Sequence, residues 1–113
     1  MNLTIDASVF VSAARPSEES YAMSNRFLQQ AKGLNIFCPV LIIPECGAAI
    51  ARPTGDPGLS RRMVSLVGSF PGMNLVSLDS KLAFRAAEIA IQHHLRGADA
   101  VYIAVADAFG AAP

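Results

Sequence analysis

The sequence predicts an α/β fold built on a mostly parallel sheet, and three observations lead there. Short apolar segments (Leu3–Ile5, Asn35–Cys38 and Asn74–Leu78) alternate with longer stretches of helical spacing. Their apolar residues run on without the in-out alternation of a strand that has one wet face, as expected when helices cover both faces of a sheet. The stretches between them are long enough to carry the helical crossovers that parallel neighbours require. The 113 residues form one domain, 1–113, large enough for one proper core.

Composition narrows the class further. Hydrophobic residues make up 52% of the chain and charged residues 16%, which excludes a disordered protein. Nineteen alanines account for much of the apolar share, so close packing of small residues is expected rather than a membrane span. No window of about 18 residues is free of charge, Pro and Gly. Nine basic side chains balance nine acidic ones, which excludes a protein that grips nucleic acid by bulk positive charge. Any such contact has to come from a local patch or a bound metal. Met1–Asp6 has neither the basic start nor the long apolar core of a signal peptide. Cys38 and Cys46 are then expected as free thiols in a reducing cytoplasm.

Taken in order, Leu3–Ile5 is a strand ending abruptly in Asp6, and Ala7–Ala14 continues as helix up to Pro16. Ser17-Glu18-Glu19 reads as a capping hydroxyl followed by first-turn acids, opening a helix to Lys32 with Ala22, Phe27, Leu28 and Ala31 on one side. Asn35–Cys38 is the second strand, and a mostly apolar helix follows from Leu41 to Arg52, with Pro44 near its start. Asp56-Pro57 opens the next helix, carrying Leu59, Met63, Leu66, Val67 and Phe70. Gly72 breaks it before the strand Asn74–Leu78. Asp79 caps a long helix whose buried stripe holds Leu82, Ala86, Ile89, Ala90 and His93. After Gly97, Ala98–Phe109 forms a last apolar helix.

Most acids fit caps and polar faces, but three do not. Asp6 ends an apolar strand, Glu45 is the one charge between Pro39 and Ala51, and Asp99 heads an apolar helix. A carboxylate in apolar surroundings needs a partner, a hydrogen bond or a metal. In an open α/β sheet ligands bind at the carboxyl ends of the strands. Asp6 sits at such an end, and Glu45 and Asp99 near helix N-termini, so the three can converge there. Carboxylates without His or Cys suit a hard cation, Mg²⁺ or Mn²⁺, which activates water and stabilises charge on a phosphate. The alternative is that backbone N–H groups cap each acid separately.

Three stretches resemble the PIN-domain ribonucleases, and within them the VapC-type toxins of bacterial toxin–antitoxin pairs. They are Ile5-Asp6-Ala7-Ser8-Val9-Phe10, Pro44-Glu45, and Leu95-Arg96-Gly97-Ala98-Asp99-Ala100-Val101-Tyr102-Ile103-Ala104-Val105-Ala106. The resemblance runs through the whole chain in order, and the last stretch is its most specific part. It implies a three-layer α/β/α fold and a metal-dependent endoribonuclease using Mg²⁺ or Mn²⁺. Asp6, Glu45 and Asp99 take the places of the family's first three acids, and Ser8 its small polar position near the metal. The implied partners are an RNA substrate, a cognate antitoxin lying across Ser17–Lys32 and Leu41–Arg52, and a second copy of the chain in a homodimer. Tyr102, one turn after Asp99, is expected to pack rather than react.

One departure stands out. The family usually adds a further strand with a Thr/Ser-x-Asp ending that supplies a fourth acid, whereas this sequence reaches Ala111-Ala112-Pro113 where that strand would begin. Asp107 is no substitute, lying about 12 Å along the helix axis from Asp99 and about 80° round it. The chain is therefore expected to lack its C-terminal strand, to leave Leu3–Ile5 short of a neighbour, and to cleave RNA slowly. A non-catalytic PIN module that binds antitoxin or RNA is the competing reading.

Other motifs carry less. His93 and His94 point about 100° apart on a helix and cannot share one ion. There is no CxxC, no GxSxG and no phosphate-binding glycine loop. Arg52, Arg61 and Arg62 bracket a loop and read as solvated surface, with RNA phosphate as the functional alternative.

Overall fold

The structure is a computed structural model and describes residues 1–112. The order of elements is β1 (Asn2–Leu3), α1 (Ala7–Ala13), α2 (Tyr21–Ala31), β2 (Asn35–Pro39), α3 (Ile42–Thr54), α4 (Pro57–Gly68), β3 (Met73–Val76), α5 (Ser80–His93) and α6 (Gly97–Ala108). The three strands form one parallel sheet in the order β1-β2-β3. Leu3 pairs with Ile36, and Ile36 to Pro39 pair with Met73 to Val76.

Alternation along β2 sorts the helices into two layers. Ile36 and Cys38 are fully buried in a cluster with Phe10, Leu28, Ile42, Ile50, Met63 and Val67, so α1 to α4 cover that face. Phe37 points the other way and stacks on Phe109 just past α6, with ring centroids 4.5 Å apart and planes 10° apart. On that side α5 and α6 pack together through Ala86, Ala100, Val101 and Ala104, where small side chains let the helices approach closely. The result is the expected α/β/α sandwich.

Local differences from the sequence reading have plain physical causes. Helix α2 starts at Tyr21, because residues 17–20 are spent on turns in which Glu18 N–H donates to Arg15 O and Tyr21 N–H to Glu18 O. Ser20 N-caps α2 without a side-chain bond, so the predicted Ser17 cap is not formed. Leu66 is 61% exposed although it shares the apolar spacing of α4; Met63 and Val67 take the buried face. His93 is exposed rather than on the buried stripe of α5, and His94 ends that helix in the left-handed region at φ 54°. The caps Asp56 and Asp79 form as predicted, accepting from Leu59 N–H and Leu82 N–H.

Beside β1, on the side away from β2, Thr4 N–H donates to Ala112 O at 2.8 Å and Ala112 N–H to Asn2 O at 3.0 Å. Leu3 and Ala112 thus form a parallel bridge. The place expected to be vacant beside Leu3–Ile5 is taken at its start by the end of the described chain; Pro113 lies outside the described residues.

Candidate active site

Parallel strands bring their carboxyl ends to one edge, and the segments leaving that edge carry two of the predicted acids. Asp6 follows β1 and is the N-cap of α1. Its Oδ2 accepts from the backbone N–H of Ser8 at 3.2 Å and, in a short contact, from the Ser8 hydroxyl. Ser8 is therefore bound to Asp6, two residues before it. Glu45 follows β2, in the first turn of α3, where the helix dipole favours negative charge. Among the described residues no backbone N–H donates to the Glu45 side chain. Its Oε1 instead accepts from the hydroxyl of Tyr102, on α6, at 2.6 Å. Asp99 lies in the first turn of α6, and its Oδ2 accepts from Arg96 Nε at 3.0 Å.

Each acid is thus answered by a different kind of donor: a cap for Asp6, a buried phenol for Glu45 and an exposed guanidinium for Asp99. Separate capping by backbone N–H groups holds for Asp6 alone. The Tyr102 bond carries α6 across to α3, and with it the helix that bears Asp99.

The charges of Asp6 and Glu45 are felt beyond their own hydrogen-bond partners. Arg96 has its pKa raised above the usual guanidinium value, first by its hydrogen bond to Asp99, then by the charge of Asp99, with Glu45 and Asp6 adding to it. One exposed cation thus feels all three carboxylates. Tyr102 has its pKa raised strongly, by burial first, then by its bond to Glu45 and by the charges of Glu45 and Asp6. The thiols beneath respond in the same way. Burial pushes Cys38 up to about 11 and Cys46 up to about 12, and the charge of Asp6 raises both. Cys38 and Cys46 are free, buried and protonated at neutral pH, and Cys38 Sγ donates to the Ile5 carbonyl just before Asp6.

The donor set fits a hard divalent cation, being made of carboxylate oxygens with a hydroxyl nearby. The hydrogen bonds engage one oxygen of each acid: Oδ2 of Asp6, Oε1 of Glu45 and Oδ2 of Asp99. Among the described residues no three Asp, Glu, His or Cys side chains are gathered into a ready-made cage. A shared ion therefore requires the side chains to turn towards one another. Asp107 is not part of this group, since it pairs with Arg85 of α5.

Tyr102 is the residue that sequence reasoning undervalued. Its position predicted packing, and it does pack, at 7% exposure. The missed signal was its hydroxyl on the buried face of an otherwise alanine- and valine-rich helix, since a buried O–H needs a partner.

Next to Asp6 a cleft of about 390 Å³ is lined by Leu3, Thr4, Ile5, Val9, Met23 and Phe27. A second cleft of about 450 Å³ shares Val9, Met23 and Ser24 with it and reaches Ser8. Another, of about 330 Å³, lies between α5 and the end of α6 and touches none of the three acids.

Comparison with known proteins bears on the family and the fold. The family described as PIN domain matches residues 3–112. Among solved structures the fold is similar to the crystal structure of Mycobacterium tuberculosis VapC20, described as a sarcin-ricin loop cleaving toxin. The TM-score is 0.82 at 15% identity, covering 98% of this chain and 85% of that one. No curated protein matches the sequence.

Proposed function

The chain belongs to the PIN domain family, and from that premise we propose that it is an endoribonuclease, the toxin of a toxin–antitoxin pair, using Mg²⁺ or Mn²⁺. Asp6, Glu45 and Asp99 are the residues assigned to the ion, with Ser8 supporting Asp6. What supports the assignment is the Tyr102–Glu45 hydrogen bond, which carries α6 across to α3. Asp99 and its partner Arg96 lie in or beside the first turn of α6, so the guanidinium is attracted by Asp99 first and by Glu45 and Asp6 as well. A dication there would experience the same attraction.

When bound, such an ion supplies charge stabilisation at the phosphate and a more acidic water. The chain's own residues prepare for it. Ser8 and the N-terminal turn of α1 hold Asp6 by Oδ2. Arg96 neutralises Asp99 and is exposed enough to swing away. The clefts beside Asp6 offer room for single-stranded RNA, with Phe27 and Met23 exposed for contact with a base. Among the described residues no helix is long and apolar enough to cross a membrane. The proposed place of action, which the toxin reading implies, is the cytoplasm.

The proposed antitoxin lies across α2 and α3, and the proposed homodimer would bury exposed apolar side chains such as Phe84 (79% exposed) and Ile91 (68% exposed) of α5. The experiment is cleavage of several single-stranded RNAs with Mg²⁺ or Mn²⁺, repeated with EDTA and with Asp6→Asn and Asp99→Asn. Cleavage abolished by all three treatments is expected. Cleavage that survives EDTA, or Asp99→Asn, would sink the metal assignment. No cleavage on any RNA, with antitoxin binding intact, would favour the non-catalytic module.

A further inference from the structure

The geometry points to Tyr102 as a positioning residue for Glu45, one that clamps the carboxylate by Oε1 and leaves Oε2 as the oxygen offered to the divalent ion. The inference rests on the metal reading of Glu45 given above and adds a residue to it.

Three observations carry it. The first is the bond itself, 2.6 Å from the Tyr102 hydroxyl to Glu45 Oε1, joining residues 57 apart in sequence. It is a hydrogen bond to an acid, of the kind that is short and strong. The second is the rigidity of the donor. Tyr102 is buried in the cluster that contains Ile42 and Cys46, on either side of Glu45 in α3. Its ring has two torsions, both restrained by packing, whereas a glutamate on its own samples many rotamers. The phenol oxygen is thus a fixed point that selects one placement of a flexible acid. The third is that packing alone does not require the oxygen. A phenylalanine would fill the same space in α6 without a polar atom to satisfy. Asp6 and Asp99 are held by their own neighbours in sequence, Ser8 and Arg96, but Glu45 has its hydrogen-bond partner on a different helix. Partners of this kind orient carboxylate ligands and influence metal affinity.

The test is calorimetric titration of Mn²⁺ alone into the wild-type chain, Tyr102→Phe, Glu45→Gln and the double variant. Tyr102→Phe is expected to weaken Mn²⁺ binding about ten-fold or more, in the range seen when such partners are removed. In the Glu45→Gln background the same substitution should change nothing further, which a merely structural role would not produce. An unchanged affinity in Tyr102→Phe, with Glu45→Gln weakened, overturns the inference and leaves the metal reading standing. An equal loss in both backgrounds overturns it too, since Tyr102 would then act through packing. An unchanged affinity in Glu45→Gln overturns the metal reading of Glu45 itself.

A second measurement does not depend on Tyr102→Phe folding well. The chain has two tyrosines, so 3-fluorotyrosine in a Tyr21→Phe background labels Tyr102 alone. Its fluorine resonance should shift on adding Mg²⁺ and should not shift in Glu45→Gln. A resonance indifferent to Mg²⁺ counts against the clamp.

Discussion

Asp6 has a structural task and a proposed chemical one, and two substitutions separate them. As N-cap of α1 its Oδ2 accepts from Ser8 N–H. Asparagine caps about as well as aspartate, while alanine at an N-cap costs typically about 1 kcal/mol. Both substitutions remove the charge, so any relief of repulsion from Glu45 and Asp99 is common to both. The difference between Asp6→Ala and Asp6→Asn therefore isolates the cap. For 113 residues the unfolding entropy at the midpoint is roughly 0.24 kcal/mol/K, so 1 kcal/mol corresponds to about 4 °C. Asp6→Ala should melt about 4 °C below Asp6→Asn, with urea midpoints moving in parallel at constant m. Metal-dependent RNA cleavage should be lost equally in the two. Equal melting temperatures would refute the capping role, and an Asp6→Asn protein that cleaves as fast as wild type would refute the chemical one.

Other perturbations probe different layers of the argument. Gly72 has φ +89°, and a β-carbon there would lie 1.9 Å from the Leu34 carbonyl oxygen, so Gly72→Ala should cost at least about 3 kcal/mol and show as a lowered urea midpoint. A near-neutral result would mean that the turn into β3 is differently built. The unfolded thiols ionise above pH 9 while native Cys38 and Cys46 stay protonated to about 11 and 12. Their contribution to stability is therefore full below pH 9 and is lost as pH rises through that window, at up to about 1.4 kcal/mol per unit for each thiol. Urea midpoints from pH 8 to 10.5 should fall, and less steeply in a Cys38→Ala/Cys46→Ala protein; the same slope in both would refute the cause. Arg96→Ala removes the cation paired with Asp99 and should tighten Mn²⁺ binding a few-fold in calorimetry, whereas weaker binding would show that Arg96 helps to build the site.

Much of the fold was legible because its signals are local. The apolar segments at Asn35–Cys38 and Asn74–Leu78 fall on β2 and β3 to within two residues, since Gly33 and Gly72, both at positive φ, mark the turns before them. The aspartates at 56 and 79 mark helix starts through bonds that reach three residues. Signals that depend on tertiary choice were weaker. Leu66, Met63 and Val67 all fit the α4 stripe, and only packing against α3 and the sheet decides which two are buried. Ser17 looks like a cap because it precedes two acids, but turn bonds from Glu18 to Arg15 and from Tyr21 to Glu18 use those residues first.

The candidate site was legible in a different sense. Asp6, Glu45 and Asp99 stood out because charge is costly in apolar segments, and that argument needs no knowledge of where the segments go. What holds each acid was hidden to the degree that its partner is distant. Ser8 lies two residues from Asp6 and Arg96 three from Asp99, both within the span of a local motif. Tyr102 lies 57 residues from Glu45, and periodicity assigned its ring to the core without saying what its hydroxyl would meet. Hydrophobic pattern reports which face of a helix is buried, while the tip of a long amphipathic side chain can emerge beyond the core that its ring helps to fill. A tyrosine on the buried face of an alanine-rich helix therefore implies a buried acceptor elsewhere in the chain. In this sequence the unexplained carboxylate of Glu45 was the acceptor to look for.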